Sequence, residues 1–347
     1  MSRFNKGVIA LATVVAFTMV CSQQSSASSS WSFTDDSTNL GLAGVSPHVE
    51  RTGSVDRLWY SGGPGGTAVA DCTSSGSCTA VAANWGSPIN DVTFATFGGV
   101  KRAYFKKMDP MSGTQAVYSA PCLTADCVSI GAATLTSEQM KVSSSVRAWG
   151  VPDAVELPGG AGIRIYIVES PTMSSSCPEK VASYTSTDGV SFVKDAGYRF
   201  SKDGYVDTEI LRATTGSWLM IMADGPGCGN TQELYMSDST DGLTWSNPVA
   251  ITGSDKSRLD PTGYETSPGS NVFKVYFATS GGRQDMNFTI GSGTLKVAAA
   301  SSSATATAKA KAGAACTKAG AKASVTVAKK KTTLTCKKVK KKLVWSK

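Results

Sequence analysis

Pairs of short strands separated by a turn recur five times along this sequence. In each pair the first strand begins near an acidic or polar residue, and the second strand is rich in aromatic residues. The five pairs span residues 46–62, 90–108, 152–169, 206–224 and 259–279. Their spacing of roughly 50 residues is the length of one four-stranded propeller blade. The pattern therefore predicts an all-β fold, a five-bladed β-propeller that occupies residues 28–297.

One further strand is predicted ahead of the first pair, within residues 28–36. Trp31 and Phe33 would share one face of it, because side chains alternate along a strand. A last blade with an unpaired outer edge would expose backbone groups to other chains. We therefore expect this segment to become the outer strand of the last blade and to close the ring.

Tight turns follow the third predicted strand of each of the first four blades. In blades three and four the turns contain Asp188 and Asp241, each followed by glycine. Asp-Gly favours a hairpin turn, because glycine tolerates positive φ and aspartate bonds to its own backbone. Blades one and two place short cysteine-bounded loops, 72–78 and 122–127, at the same point. Both devices would hold a hairpin in place.

The N-terminal segment has the features of a secretory signal peptide. Arg3 and Lys6 precede an apolar run over residues 7–20, and small residues lead to a predicted cleavage site after Ala27. Residues 1–27 are therefore predicted to be removed, which makes the mature protein secreted or bound to the cell surface. Lipidation at Cys21 is the alternative, and the bulky Val20 disfavours it.

Eight of the nine cysteines remain after the signal peptide, an even number that suits disulfides in an exported chain. The predicted pairs are Cys72–Cys78, Cys122–Cys127, Cys177–Cys228 and Cys316–Cys336. A thiolate metal site is disfavoured, because the chain has no CxxC and only one histidine. We predict no metal and no cofactor; a channel-bound ion such as calcium would be compatible with the fold.

Composition changes at the C-terminal end of the chain. Residues 298–315 are Ala, Ser, Thr and Lys with one Gly, which predicts a linker. Residues 316–347 then predict a small disulfide-closed β module. From Lys309 onward there are 13 lysines and no acidic residue, so against the overall +8 the rest of the chain carries −5. Such a tail would attract anionic cell-envelope polymers. A merely solvated tail is the alternative, and no motif predicts specific nucleic-acid binding.

The strand pairs resemble those of the five-bladed furanosidase superfamily, which includes arabinanases, β-xylosidases, levansucrases and invertases. The likeness lies in the blade starts (SPHV, PDAV, VDTE, LDPT) and in the segment ELPGGAGIRIY of residues 156–166. The turns at Asp188 and Asp241 are similar to the Asp-box of sialidases, which in that family is a folding element remote from the catalytic centre. The C-terminal module resembles small Lys-rich, single-disulfide modules of exported bacterial proteins.

The furanosidase superfamily uses an aspartate on blade one as base or nucleophile, an aspartate on blade two that orients, and a glutamate on blade three as acid. Asp91 matches the blade-two position. Blade one has Ser46 and His48 in place of the aspartate. On blade three, Glu156 should face away from the channel, and Glu169 is the glutamate that could reach its mouth. The resemblance implies glycan chemistry with an altered blade one.

Inner strands of a propeller all begin at one mouth of the central channel, so side chains at the strand starts become neighbours. The candidate catalytic residues are Asp91, Asp153, Asp207 and Glu209. The candidate substrate-binding residues are His48, Asp260, Trp149 and Tyr205. Crowding raises the pKa of at least one carboxyl group. A protonated acid beside an ionised partner is what glycoside hydrolysis requires.

Three functions are compatible with these residues. The first is a glycoside hydrolase that acts through the channel-mouth carboxylates. The second is a non-catalytic carbohydrate-binding propeller, and the third is a cell-surface scaffold or adhesin. Aspartates at strand starts can also cap backbone N–H groups of the neighbouring blade, and His48 can simply line the channel. We favour a monomeric, glycan-directed propeller with hydrolase activity, and the non-catalytic binding or surface-interaction module is the alternative.

Overall fold

The computed structural model describes residues 30–346 except 37, 63–64, 110, 112, 143–149, 171–176, 229–230, 283–284, 299–321, 328–329 and 340–341. The predicted signal peptide and nearly all of the predicted linker lie outside the described residues. The chain forms two compact units, of which one is Ser28–Ser301 and the other contains the C-terminal strands. No helix in the described part of the chain is long and apolar enough to cross a membrane.

Five four-stranded antiparallel sheets form the blades of a β-propeller, which confirms the predicted fold class. Strand β1 (Ser30–Asp35) precedes them. Blade 1 contains β2 (Val45–Thr52), β3 (Val55–Ser61), β4 (Thr67–Thr73) and β5 (Cys78–Val81). Blade 2 contains β6 (Asn90–Phe97), β7 (Val100–Met108), β8 (Gln115–Pro121) and β9 (Thr134–Leu135).

Blade 3 contains β10 (Asp153–Glu156), β11 (Ile163–Glu169), β12 (Lys180–Ser186) and β13 (Val193–Lys194). A short 3₁₀ turn, Pro158–Gly160, joins β10 to β11. Blade 4 contains β14 (Tyr205–Arg212), β15 (Trp218–Asp224), β16 (Leu234–Ser239) and β17 (Val249–Ala250). Blade 5 contains β18 (Ser257–Glu265), β19 (Val272–Ser280) and β20 (Thr289–Ala298).

The ring is closed by the N-terminal strand. The first strands of the blades, β2, β6, β10, β14 and β18, pack successively around the channel, and β18 returns to β2. Strand β1 pairs with β20 and places Trp31 opposite Val297 and Phe33 opposite Leu295. It therefore supplies the fourth strand of blade 5, as the sequence predicts.

The core lies between the blades. Five clusters of buried side chains occur among the described residues, one between each pair of neighbouring blades. Aromatic residues of the second strands dominate them: Trp59, Tyr104, Tyr166 and Tyr276 are at most 2% exposed. These aromatic side chains pack between neighbouring blades. Because burial of an aromatic ring contributes about 1.5–3 kcal/mol, these positions are central to stability.

The turns after the third strands are held as predicted. Asp188 Oδ1 accepts hydrogen bonds from two backbone N–H groups at 2.7 Å, and Asp241 accepts the equivalent pair at 2.8 and 2.7 Å. Tyr104 donates to Gly189 O and Tyr166 donates to Gly242 O, so each turn is fastened to the preceding blade. The disulfides Cys72–Cys78, Cys122–Cys127 and Cys177–Cys228 are confirmed.

The C-terminal unit contains a three-stranded antiparallel sheet. Its strands are β21 (Lys322–Val327), β22 (Lys330–Val339) and β23 (Lys342–Ser346), with β22 in the centre. Leu334 and Cys336 are buried, whereas Lys337, Lys338 and Lys342 are exposed. Cys336 is disulfide-bonded. Cys316 lies outside the described residues, so its pairing with Cys336 stays a prediction.

Candidate functional site

Four of the five inner strands begin with the same backbone distortion. Ser46, Asp91, Asp207 and Asp260 have φ values of 50°, 54°, 53° and 49°. Each lies at a shift in the register between the first and second strands of its blade. Left-handed backbone is uncommon for residues other than glycine, and such bulges re-aim a side chain. The repeated strain marks a functional-site candidate on blades 1, 2, 4 and 5.

Blade 3 has no such bulge, and this shifts Asp153 along the channel. Asp153 pairs directly with Tyr166, as Thr93 pairs with Tyr104 and Thr262 with Tyr276. Asp153 was expected at the same position as Asp207 and Asp260. It lies one level further along the channel, because only the other four strands insert a bulge before the corresponding pair.

The channel-facing residues therefore form two levels. The upper tier consists of Ser46, Asp91, Asp207 and Asp260. The lower tier consists of His48, Thr93, Asp153, Glu209 and Thr262. The predicted carboxylates thus share one channel, but Asp91, Asp207 and Asp260 belong to the upper tier whereas Asp153 and Glu209 belong to the lower tier.

The upper tier is a connected polar network that includes the ammonium group of Lys106. Lys106 on β7 forms an ion pair with Asp91 at 2.6 Å, and both side chains are nearly buried. Ser61 Oγ donates to Asp91 at 3.1 Å. The backbone N–H of Ser46 donates to Asp260 at 2.8 Å. Asp207 and Asp260 share a hydrogen bond. Blade 1 thus contributes a backbone donor and a hydroxyl where the other bulged blades contribute carboxylates.

Opposite protonation states coexist in the upper tier. Burial alone would raise the pKa of Asp91, but Lys106 and the hydrogen bonds from Ser46 and Ser61 hold that pKa below its ordinary value. Burial and the neighbouring charge of Asp260 raise the pKa of Asp207 well above its ordinary range. Burial and the charge of Asp91 raise the pKa of Asp260 to about 6. Asp91 is therefore ionised at a pH where Asp207 is protonated.

The lower tier holds a second carboxyl pair, Asp153 and Glu209, joined by a hydrogen bond. Thr262 Oγ1 donates to Glu209 at 2.8 Å. The backbone N–H of Ile210 donates to Asp153 at 2.8 Å. The last contact runs from blade 4 to blade 3, so Asp153 caps the backbone of a neighbouring blade. This is the structural role that the sequence left open for the strand-start aspartates.

Burial raises the pKa of both carboxyl groups of the lower tier and lowers that of His48. It raises the pKa of Glu209 well above its ordinary range, with a further contribution from the charge of Asp153. It raises the pKa of Asp153 to about 6. Burial and the nearby Lys101 lower the pKa of His48 to about 3. His48 is therefore a neutral imidazole, and its 3.8 Å approach to Glu209 Oε1 is not an ion pair.

The upper tier lies toward one end of the channel, and the lower tier lies toward the other. The end where the inner strands begin is called here the start face. Beside it lies a cleft of about 440 Å³ between residues 43–45, 61–62 and 286–288. The end where the first and second strands of the blades are joined by hairpins is called the hairpin face. A cleft of about 360 Å³, called the hairpin-face cleft, contains His48, Asp153 and Glu209 and extends to the strand ends at Arg212 and Glu265.

Several predicted residues lie away from both tiers. Tyr205 is a candidate substrate-binding residue, but it opens β14, is buried and packs against Phe200 and Tyr235. Glu169 is completely buried and accepts hydrogen bonds from Tyr184 and Lys194. Trp149 lies outside the described residues. An aromatic residue at the first position of a strand can pack inward, and sequence alternation alone does not reveal that.

Lys106 is the site residue that sequence reasoning missed. It lies on β7, two residues beyond Tyr104, and faces Asn90 of the inner strand. The pattern VKRAYFKKM offers three other basic residues on the same strand, so nothing local distinguishes this one. The available signal was its spacing of two from a buried tyrosine, which places both side chains on one face.

Potential metal ligands are scarce in the described part of the chain. The one group of three or more candidate ligands with mutually close donor atoms there is Cys177, Glu179 and Cys228. Its two cysteines are joined as a disulfide. In the channel itself, the Lys106 ammonium supplies positive charge next to Asp91.

No family model and no curated protein matches this chain. Solved structures do match its fold. One is a thermostable family-43 glycoside hydrolase, with a TM-score of 0.52 and 12% identity over 76% of this chain and 91% of that one. Another is a protein solved as a complex with RGII, with a TM-score of 0.55 and 11% identity over 75% and 89% of the two chains.

A third is the Cellvibrio cellulosa α-L-arabinanase complexed with arabinohexaose, with a TM-score of 0.52 and 10% identity over 74% of this chain and 96% of that one. At such identities the similarity shows the fold. The protein is a five-bladed β-propeller with the architecture found in family-43 glycoside hydrolases.

Proposed function

We propose that this protein is an exported, glycan-directed propeller that hydrolyses a glycosidic bond at the start face of the channel. The observation that carries the proposal is the asymmetry of the upper tier, in which Lys106 forms an ion pair with Asp91 at 2.6 Å whereas Asp207 has the carboxyl group of Asp260 as its neighbour. Asp91 is held ionised by Lys106, whereas Asp207 is held protonated by burial and Asp260. Hydrolysis of a glycoside needs one carboxylic acid to protonate the leaving oxygen and one carboxylate to act as base or nucleophile.

The roles follow from these states. Asp207 is the general acid, and Asp260 accepts its hydrogen bond and keeps it oriented. Asp91 is the base or nucleophile. The carboxyl groups of Asp207 and Asp260 share a hydrogen bond, as do those of Asp153 and Glu209. Two directly bonded carboxyl groups leave no room for a sugar between them, so we assign the acid and the base to Asp207 and Asp91, which belong to different pairs.

The fold supports a glycan as substrate. Among the structures of the same architecture, one was solved with arabinohexaose and one with RGII. We propose a neutral pentofuranosyl or related glycan for this protein. The predicted signal peptide, residues 1–27, would place the enzyme outside the cell. The exposed lysines of the C-terminal sheet would hold it near anionic envelope polymers through salt-sensitive attraction.

The test is hydrolysis of a broad glycan panel by the wild-type protein and by Asp207→Asn. The amide keeps a hydrogen bond to Asp260 but has no proton to transfer. Because general acid catalysis contributes about 10²–10⁴-fold, kcat should fall by that factor. The melting temperature should stay nearly unchanged, since a neutral group replaces a neutral group.

Asp126→Asn is the matched control, a carboxyl-to-amide change on the cystine loop of blade 2, where Asp126 contacts Arg57. It should retain full activity. Full activity in Asp207→Asn would refute the assigned acid.

A non-catalytic glycan-binding protein is the second candidate, and one observation favours it. The upper-tier position of blade 1 holds Ser46 where blades 2, 4 and 5 have aspartate, and its backbone already engages Asp260. In this case the wild-type protein would cleave no glycan of the panel but would retain one of them. Asp207→Asn would then bind that glycan as the wild type does.

A further inference from the structure

The hairpin-face cleft is not used by the hydrolytic site proposed at the start face. None of the four upper-tier residues lines it. Its volume of about 360 Å³ lies in the range of small-molecule sites, roughly 300–1,000 Å³. It lies at the opposite end of the same inner strands, beyond the Asp153–Glu209 pair. A ligand there would contact the lower tier and no upper-tier side chain.

His48 gives the base of this cleft an unused hydrogen-bonding group. Its side chain is 12% exposed, and its ring lies edge-on to Phe94 with 5.4 Å between centroids. Glu209 Oε1 is 3.8 Å away, which is too far for a hydrogen bond. No hydrogen bond from a described residue reaches either ring nitrogen. A neutral imidazole offers one donor and one acceptor, which suits a ligand hydroxyl.

The charged groups around the cleft disfavour an ionic ligand. The carboxylates on its rim are occupied: Glu156 accepts the backbone N–H of Thr96 at 2.7 Å, and Glu265 accepts that of Thr214 at 2.9 Å. They would repel an anion, but their engaged oxygens are poor partners for an ammonium group. Arg212 on the same rim stacks over Trp218 and opposes a cation. The unengaged polar group at the base is uncharged.

We propose that the hairpin-face cleft is a second binding site, which takes one residue of a neutral, hydroxyl-rich glycan with His48 as its hydrogen-bonding group. Phe94 and Tyr264 line the cleft, and an aromatic ring can lie against sugar C–H groups. The two mouths of the channel then bind glycan independently. The proposal does not depend on hydrolysis at the start face.

His48 is the only histidine of the chain, so its imidazole signals in a long-range ¹H–¹⁵N NMR spectrum need no assignment. The full-length protein is titrated with arabinotriose, xylotriose and maltotriose, and with trigalacturonate and chitotriosamine as charged comparisons. At least one neutral trisaccharide should shift the imidazole signals, and the shift should level off as more ligand is added. The charged trisaccharides should not shift them. The Asp207→Asn variant should show the same shift, since the upper tier is not part of this site.

His48→Phe keeps the aromatic packing but removes both polar nitrogens, and calorimetry should show affinity reduced about five- to tenfold, the effect of losing one hydrogen bond. Tyr235→Phe is the control, because Tyr235 lies on the third strand of blade 4 and does not line the cleft. Absence of any imidazole shift in the wild type overturns the proposal. So does loss of the shift in Asp207→Asn, or undiminished affinity in a folded His48→Phe. If His48→Phe does not fold, the titrations of the wild type and of Asp207→Asn still decide whether the cleft binds a glycan.

Discussion

Removal of the Asp91 charge should destabilise the protein far more than removal of the Asp207 carboxyl group. Asp91→Asn removes the carboxylate that lies 2.6 Å from the ammonium group of Lys106, a side chain that is 12% exposed. Breaking a buried ion pair costs about 3–5 kcal/mol. Partial exposure of Lys106 and the hydrogen bond that residue 91 keeps with Ser61 reduce this cost to about 2–3 kcal/mol. For a domain of this size, the melting temperature should then fall by about 5–10 °C. Asp207→Asn should change stability by less than about 0.5 kcal/mol.

Lys106→Met completes a double-mutant cycle. Asp91→Asn with Lys106→Met removes both charges of the ion pair, so the double variant should be less destabilised than the sum of the single variants by about 1.5–2 kcal/mol. Urea unfolding at neutral pH, followed by tryptophan fluorescence, measures the four free energies. Additive effects, or an Asp91→Asn variant as stable as the wild type, would show that the pair does not hold Asp91 ionised.

Three further predictions concern the scaffold. Gly204→Ala should prevent or strain the disulfide between blades 3 and 4, because the added Cβ would lie 2.4 Å from Cys177 Sγ. Gly197 also has positive φ but has open space around it, so Gly197→Ala should lower the free energy of unfolding by only about 1 kcal/mol. Equal melting temperatures of these two variants would contradict the close packing of Gly204 against the disulfide. Tyr166→Phe should cost about 1–2 kcal/mol by loss of the 2.6 Å bond to Gly242 O, measured against Tyr235→Phe. In the folded protein the pKa values of Asp153 and Asp260 are raised to about 6. Their contribution to stability is therefore complete below the unfolded-state pKa of 3.8 and is lost as the pH rises through 6. The urea midpoint of unfolding should accordingly be higher near pH 4.5 than at pH 7. A higher midpoint at pH 7 would show that these carboxyl groups are not protonated in the fold.

Features set by local repetition were predictable from the sequence. The blade count, the closing strand with Trp31 and Phe33, and the three disulfides within the propeller follow from periodicity, alternation and loop length. The inward packing of Trp59 and Tyr276 follows from their place on second strands.

The arrangement of the site was only partly predictable. Asp91, Asp207 and Asp260 were expected together, but the bulge that puts Asp153 on another level depends on contacts between strands and leaves no local signature. The selection of Lys106 among the basic residues of β7 depends on the channel that five blades form together. Tyr205 was misplaced because burial at a strand end is set by the adjacent blade.

The proposed hydrolysis requires an ionised and a protonated carboxyl group at the same end of the channel. A ¹³C NMR titration of the aspartate side-chain carboxyl carbons tests it directly, with Asp91→Asn, Asp207→Asn and Asp260→Asn to assign the signals. At about pH 5 Asp91 should give an ionised signal and Asp207 a protonated signal, and Asp260 should titrate near pH 6. If all three signals titrate together near the ordinary aspartate pKa of about 3.9, the upper tier is not an acid–base pair and the hydrolytic mechanism is contradicted.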